Sequence, residues 1–196
     1  NPTMMACIWE ALATRDVRLL SHSMRKRYAI SPHCAWVNYV RVHDDIGWSF
    51  ADEDAREVGI NGYDHRLFLN QFYTGRFAGS FASGEPFNYN PANQDMRICG
   101  TAASLAGLQR ALEKHDLREE QLALERLQLI HSIILSTGGI PLLYIGDEIA
   151  TLNDYSYLEN PHHADDSRWV HRVAFQEDHA AHRNDTRTTW GYTFNQ

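Results

Sequence analysis

The sequence predicts an α/β fold in which two short buried strands are each preceded by an amphipathic helix. Apolar residues recur at a helical period of about 3.6 in two separate stretches of the chain. Each stretch leads into a short run rich in β-branched, aromatic or aliphatic residues, which is typical of a buried strand. Between the two pairs lies a long segment of Gly, Asn, Asp and aromatic residues without sustained periodicity. We therefore expect the order helix, strand, insertion, helix, strand and loop.

The first helix–strand pair is assigned to residues 1–45. Asn1 is a suitable N-cap and Pro2 suits the first helical position, so we expect one amphipathic helix from Pro2 to about Lys26. The segment Ala35–Val42 has the composition of a strand. This strand is followed at once by three polar residues, His43, Asp44 and Asp45.

The second pair is assigned to residues 116–148, after an insertion at 46–115 that we expect to form short elements of its own. The sequence Asp116-Leu-Arg-Glu119 resembles a capping box, and it predicts a helix that reaches about Thr137 before Gly138-Gly139. Ile140–Ile145 predicts the second strand, and Asp147-Glu148 follow it. Residues 149–196 are predicted to be polar loop.

Acidic residues follow both predicted strands, and their positions predict the location of a functional site. We expect the two strands to be parallel neighbours joined by the helix near Asp116–Thr137 in a right-handed crossover. In a βα-barrel the carboxyl ends of the strands and the loops that follow them form the active face. Two strands are fewer than a closed barrel requires, so their edges and apolar faces should favour self-association if the chain folds alone.

Composition excludes several classes of function. The 196 residues suffice for one domain or slightly more, with 43% apolar residues, a formal charge of −7 and a pI near 5.8. This acidic balance argues against binding to nucleic acid or to an anionic membrane. No apolar run has membrane-spanning length, and the N-terminus lacks a signal peptide.

Three distant cysteines predict no disulfide framework and favour a reducing, cytoplasmic compartment. The adjacent pair His162-His163 is interpreted as a loop feature and not as a metal site.

Two motifs give the chain a family resemblance. Trp36–Trp48 resembles the seventh-strand motif of glycoside hydrolase family 13, and Gly139–Glu148 resembles the eighth-strand motif of the same family. Further segments look like those of amylosucrase and its sucrose-hydrolysing relatives, namely Phe50–Asp54, Gly62–Phe68, Arg97–Ala103 and Asp165–Trp169. The resemblance covers nearly the whole chain and is weakest over Leu108–Glu125 and the last ten residues.

The resemblance implies a partial (β/α)8 TIM barrel. Residues 1–45 would be barrel helix 6 and strand 7, and 46–115 an insertion that shapes the acceptor side. Residues 116–148 would be helix 7 and strand 8, and 149–196 the loop after strand 8, which stops before the last helix. We expect both chain ends to lie within a longer polypeptide, whose remaining barrel would be this segment's partner.

The resemblance also implies roles for residues near the first strand end. Asp44 resembles the carboxylate that binds the donor sugar and stabilises the oxocarbenium-like transition state of retaining enzymes. His43 resembles its neighbour, which donates a hydrogen bond to the same sugar. Asp45 is open between a sugar contact and a structural hydrogen bond. The alternative for His43-Asp44 is that the pair merely caps the strand.

Four further residues are implied to bind substrate. Arg168 resembles an arginine that pairs with an upstream aspartate to close the donor pocket, with a surface ion as the alternative. Arg66, Phe68 and Arg97 resemble acceptor-side residues, since guanidinium groups bridge sugar hydroxyls and aromatic faces stack on pyranose rings. Asp147-Glu148 is interpreted as a support of the active-site loops and not as a catalytic pair.

The implied function is cleavage of sucrose through a glucosyl-enzyme, with transfer to an α-glucan or to water and without a metal or organic cofactor. No segment resembles the motifs that carry the nucleophile and the acid/base in this family, so the chain alone is expected to be inactive. One alternative is an α-amylase or α-glucosidase of the same family. Another is a non-catalytic segment that binds carbohydrate or is purely structural.

Overall fold

In the computed structural model, which describes residues 1–196, the N-terminal segment forms two helices, so the prediction of one helix from Pro2 to Lys26 is wrong. Helix α1 spans Pro2–Thr14 and α2 spans Arg18–Arg27. Arg15 ends α1 in the left-handed conformation, with φ 59°. The Asp16 carboxylate then accepts a hydrogen bond from the Arg18 N–H at 2.9 Å, which starts α2.

Helix α1 is buried on all sides over Met4–Glu10, which exceeds what an amphipathic pattern predicts. Its neighbours are α2, the helix at Gly62–Tyr73 and the first strand. The Trp9 indole N–H donates to the Val40 carbonyl at 2.8 Å, and the Tyr73 hydroxyl donates to the Trp9 carbonyl. These buried hydrogen bonds attach α1 to the segment that leads to Asp44.

The two predicted strands are parallel neighbours, which confirms that prediction. Strand β1 is Val37–Asn38, and it pairs with the second strand, at Ile140–Pro141. The N–H groups of Ile140 and Leu142 donate to the Trp36 and Asn38 carbonyls, both at 2.8 Å. Both strands are shorter than the predicted runs of 35–42 and 140–145. They exchange backbone hydrogen bonds only with each other.

The insertion forms short elements of its own, as expected, and these are mainly helical. They are α3 (Asp52–Glu57), α4 (Gly62–Tyr73), an antiparallel hairpin of β2 (Glu85–Asn90) and β3 (Asp95–Cys99), α5 (Ala102–Ala106) and α6 (Leu108–Lys114). A single cluster of 29 buried residues runs from Met4 to Ala150 and includes side chains of the insertion. The insertion therefore shares its core with both helix–strand pairs.

Helix α7 (Leu117–Ser136) is the predicted connection between β1 and the strand at Ile140–Pro141, β4. Asp116 caps it by accepting hydrogen bonds from the N–H groups of Arg118 and Glu119, both at 3.1 Å. A capping box also requires the Glu119 carboxylate to accept a hydrogen bond from the Asp116 N–H. This bond is absent, because Glu119 pairs with Arg126 at 3.2 Å. The chain then enters β4 through Gly139, where φ is 121° and a Cβ would lie 2.6 Å from the Trp36 carbonyl oxygen.

The last 48 residues contain short elements that the prediction of polar loop missed. A 3₁₀ turn at Asp147–Ile149 leads into this segment, which contains two more at Tyr155–Glu159 and Ser167–His171 and two short helices, α8 (Glu177–Ala181) and α9 (Thr189–Phe194). The architecture is thus a mixed α/β fold, mostly helical, with two separate two-stranded sheets and no closed barrel. None of its helices combines the length and apolarity needed to cross a bilayer.

One apolar surface is left uncovered on the strand side of the fold, as the sequence led us to expect. The residues of β4 are exposed, and the side chain of Ile145 is 60% exposed. We define the strand face by its exposed apolar residues, which are Val37, Ile140, Leu142, Leu143 and Ile145. Exposed apolar residues grouped in and beside two paired strands are typical of an interaction site or a cause of association.

The isolated chain is therefore expected to self-associate through the strand face, and Ile145→Lys should weaken that association. Burial of one such side chain contributes about 1.5–3 kcal/mol, so we expect the dissociation constant to rise by at least about tenfold. Sedimentation equilibrium measures the change. Leu117→Lys is the control, since Leu117 is also exposed but lies at the start of α7. A wild-type chain that stays monomeric at high concentration would contradict the prediction.

Candidate functional site

The polar residues after β1 lie in a turn whose backbone is held by side chains from distant segments. The His43 carbonyl accepts hydrogen bonds from His171 Nε2 at 3.0 Å and from Arg172 Nε at 2.9 Å. The Asp44 carbonyl accepts one from Arg41 Nη1. Arg41 is buried, and its Nε also donates to the Gly100 carbonyl at 2.6 Å. The backbone that carries Asp44 is thereby fixed to both the hairpin and the 3₁₀ turn at 167–171.

The Asp44 carboxylate itself is open, with its side chain 56% exposed. Its Oδ1 lies 3.5 Å from Arg168 Nη1 and 4.0 Å from Arg172 Nη2. Both distances exceed those of a charge-assisted hydrogen bond. The carboxylate thus lies near two positive charges but forms no close ion pair with either of them. It is therefore free to bind a sugar or to stabilise a developing positive charge.

Arg168 is held in place by a local partner. Its Nε and Nη2 donate to the two Asp166 oxygens at 2.9 and 2.8 Å, and the Asp166 carboxylate also accepts from the Arg168 backbone N–H at 3.0 Å. The hydrogen bonds from Arg168 lower the pKa of Asp166, and those to Asp166 raise the pKa of Arg168. Arg168 also lies over the Phe87 ring, 4.6 Å from its centroid. The guanidinium therefore faces Asp44 in a fixed orientation.

Asp45 is placed against Arg97, which brings two of the candidate residues together. Ile46 and Ile98 exchange both backbone hydrogen bonds, at 2.8 and 3.0 Å, so the turn after β1 runs antiparallel to β3. Asp45 Oδ2 consequently lies 3.2 Å from Arg97 Nη1. Of the two roles left open for Asp45, the structure displays the structural ion pair.

A pocket of about 410 Å³ lies beside this ion pair. Arg66 and Arg97 both line it, together with Trp48, Tyr63, Asn70 and other residues of the insertion. Arg66 is strongly engaged, because its guanidinium donates to Asp52 at 2.7 Å and to the Phe50 carbonyl at 2.9 Å. Arg97 is the more exposed of the two cations and has donors left for a ligand.

Phe68 lies apart from this pocket, in an aromatic cluster. Its ring centroid is 4.9 Å from that of Phe77 and 5.7 Å from that of Phe72, and His65 is the third neighbour. The Phe77 contact is edge-to-face and the other two are tilted, and aromatic contacts of this kind stabilise a core. In the described structure Phe68 therefore packs against protein and presents no ring face to the pocket with Arg66 and Arg97.

Asp147 and Glu148 lie in the loop after β4 and contact protein groups. Asp147 is buried and lies 3.4 Å from His131 of α7, while Glu148 accepts a hydrogen bond from the Gly146 N–H at 2.8 Å. Burial raises the pKa of Asp147, and the pKa of His131 is also raised, since the attraction of Asp147 outweighs the opposing effect of burial. These contacts fit the supporting role expected of the pair.

One group of side chains has the spacing of a cation site, namely His22, Asp54 and Glu57. Lys26 already lies 3.2 Å from Asp54 and 2.8 Å from Glu57, and Arg27 lies 2.6 Å from Asp54. These cations neutralise the carboxylates, so the group is an ion-pair network that joins α2 to α3.

Sequence reasoning missed four residues that position Asp44, which are Arg41, Asp166, His171 and Arg172. A signal for Asp166 was present, because Asp16-Val-Arg18 and Asp185-Thr-Arg187 show the same Asp-x-Arg spacing and the same contacts. Nothing in the sequence pattern marks His171. No family model matches the chain.

Proposed function

We propose that the chain carries part of the donor and acceptor sites of a retaining α-glucosidic enzyme that cleaves sucrose. Fructose would leave, and an α-glucan or water would accept the glucosyl group. The observation that supports this most strongly is the Asp44 carboxylate, open in the turn that follows the parallel strand β1 and 3.5 Å from Arg168. A fixed anion beside developing positive charge is the electrostatic device that an oxocarbenium-like transition state requires.

The finer fold that goes with this proposal is a (β/α)8 barrel, of which β1 and β4 would be strands 7 and 8. Three features support it: the parallel pairing, the long helix α7 between the strands and the exposed strand face. In a complete barrel, neighbouring strands and helices would cover that face. The remainder of the barrel is thus the proposed partner of this segment.

The nucleophile and the acid/base would come from that remainder. Retaining glycosidases form a covalent glycosyl-enzyme with one carboxylate and protonate the leaving group with the other. Asp44 would bind the donor sugar and stabilise its distorted ring, with His43 as a hydrogen-bond donor beside it. The proposed chemistry needs no metal or organic cofactor.

The complete coding sequence around this chain tests the proposal. We expect a Gly-x-Arg-x-Asp strand upstream of Asn1, followed by a strand-end Glu, and we expect the encoded protein to release fructose from sucrose. A complete protein that lacks both motifs, or that leaves sucrose intact, would contradict the proposal. Release of reducing ends from long α-glucans without sucrose cleavage would favour the α-amylase or α-glucosidase alternative.

Carbohydrate binding without catalysis is the second candidate, and the pocket with Arg66 and Arg97 favours it. Its lining combines guanidinium, amide and aromatic groups, which are the groups that bind sugars. On either proposal, Arg97→Ala should weaken binding of a maltooligosaccharide by about tenfold, the effect of losing a hydrogen bond to a charged group. Calorimetric titration measures the affinity. Arg118→Ala is the control, since Arg118 lies at an exposed position of α7. Equal affinity of the wild type and the Arg97 variant would remove Arg97 from the site.

A further inference from the structure

We infer that His171 is a positioning residue for Asp44, because its imidazole donates a hydrogen bond to the His43 carbonyl and accepts one from the Gly100 N–H. The inference depends on the proposed role of Asp44, because it concerns how that carboxylate is presented to a sugar. His171 is only 1% exposed and lies at the end of the 3₁₀ turn at Ser167–His171. It belongs to neither of the two strand-end motifs.

The partners of His171 determine its tautomer. Nδ1 lies 3.2 Å from the Gly100 backbone nitrogen, and a backbone N–H can only donate, so Nδ1 must be the nitrogen without a proton. Nε2 must then carry the proton, which it donates to the His43 carbonyl at 3.0 Å. Both ring nitrogens are thus used, and the ring has one acceptable orientation.

The imidazole must also be neutral. Protonation of Nδ1 would place two N–H groups against each other across a buried contact. Burial, together with the positive charges of Arg41 and Arg172, lowers the pKa of His171 to about 2. Asp166 is the acidic group that faces it and acts in the opposite direction. His171 is therefore neutral throughout the physiological range and serves as a fixed donor and acceptor.

Gly100 closes this network. Its N–H donates to His171 and its carbonyl accepts from Arg41, which in turn donates to the Asp44 carbonyl. Gly100 has φ 154°, and a Cβ there would lie 2.9 Å from a methyl group of buried Leu105, so a side chain would strain the backbone and displace Leu105. The peptides on both sides of Asp44 are consequently held: His171 and Arg172 bind the carbonyl of the 43–44 peptide, and Arg41 binds the carbonyl of the 44–45 peptide. Loss of the His171 bridge would leave Arg172 as the only donor to the His43 carbonyl.

The first test examines the imidazole in the wild-type chain by ¹⁵N NMR. We expect His171 to show a protonated Nε2 and an unprotonated Nδ1, with no titration between about pH 5 and pH 8, where ordinary histidines titrate. A titration of His171 near the ordinary value, or a protonated Nδ1, would overturn the inference. This result does not depend on whether sucrose is the substrate.

The second test compares two substitutions in the complete protein. His171→Leu removes both hydrogen bonds, whereas His171→Gln keeps one acceptor and one donor. We expect the Leu variant to lower kcat for sucrose by about tenfold or more with KM changed by less than about twofold, since Asp44 acts mainly in the transition state. The Gln variant should recover most of the activity.

Backbone amide shifts of residues 43–45 provide the structural readout for the same variants. They should move in the Leu variant and return toward wild type in the Gln variant. A Leu variant with a lower melting temperature but normal kcat would reduce His171 to a purely structural residue. If the wild-type protein does not turn over sucrose, the proposed function fails, and the NMR measurements still decide whether His171 orients the turn.

Discussion

Asp44→Asn is expected to lower kcat for sucrose by about a thousandfold or more in the complete protein, while the fold is kept. The amide is nearly isosteric with the carboxylate but carries no charge, so the stabilisation of the oxocarbenium-like state is lost. A loss of about 4 kcal/mol corresponds to such a factor in rate. If the charge acts mainly in the transition state, kcat should fall more than sugar binding weakens.

The structure predicts that this substitution changes the charge of the site with little effect on stability. The Asp44 side chain is 56% exposed and its nearest cation is 3.5 Å away, so its removal should change the free energy of unfolding by less than about 1 kcal/mol. Initial fructose release gives the rate, and thermal melting gives the stability. Asp147→Asn is the comparison, because it removes a buried carboxylate beside His131. That variant should melt earlier yet keep most of its kcat.

Near-normal turnover in the Asp44 variant would remove this residue from the catalytic set. It would also remove the reason to regard the turn held by His171 and Arg172 as an active-site feature. A variant that is inactive but melts far below wild type would point instead to the capping role for His43-Asp44.

Asp54→Asn is expected to destabilise the chain by about 2–3 kcal/mol, because it removes a buried carboxylate that accepts charge-assisted hydrogen bonds from half-exposed cations. Asp54 is 0% exposed, and Arg27 donates to its two oxygens at 2.6 and 3.0 Å. Lys26 lies 3.2 Å from the same carboxylate. The amide would keep the volume but lose the charge that these two cations require. For a chain of this size the melting temperature should fall by about 10 °C.

The same residue predicts how stability depends on pH. Hydrogen bonds from Arg27 lower the pKa of Asp54 from 3.8 to about 2 in the folded state. Because the folded pKa is depressed, the stabilisation is present above the unfolded value and is lost as pH falls through about 4 toward 2. It amounts to about 2 kcal/mol, since one pKa unit corresponds to about 1.4 kcal/mol. The Asp54 variant should therefore lose less stability on acidification than the wild type.

Glu53→Gln is the matched control for Asp54, because Glu53 lies on the same helix but is exposed and 3.9 Å from Arg27. Urea unfolding at about pH 7 and pH 3 measures the free energy of unfolding of the wild type and of the Asp54 and Glu53 variants. Equal losses of stability in the Asp54 and Glu53 variants at neutral pH would contradict the prediction. The network matters to the site because it ties α3, which follows the Asp44 turn, to α2.

Local sequence determined those features that depend on neighbouring residues. Asn1 and Asp116 cap helices because a side-chain oxygen can reach N–H groups two or three residues away. The parallel pairing of the two strands follows from the long helix between them, since parallel neighbours need a crossover. In the same way, the Asp-x-Arg spacing could have shown that Arg168 has a local partner. The break at Arg15 was missed because the apolar period continues through it.

Tertiary structure alone decided what each candidate side chain contacts. Arg66 and Phe68 are two residues apart on α4, yet one lines the pocket and the other enters an aromatic cluster, because the packing of α4 against β3 and α1 sets each direction. The bridge from His171 to the backbone of residue 43 spans 128 positions, and no periodicity encodes such a contact. The sequence by itself thus determined that two strand segments pair in parallel and which carboxylates follow them, whereas both strands end earlier than it predicted. Only the packed chain decided that Asp44 stays open while Asp45 and Asp54 are paired with distant cations, because such an ion pair depends on distance in space and not on spacing along the chain.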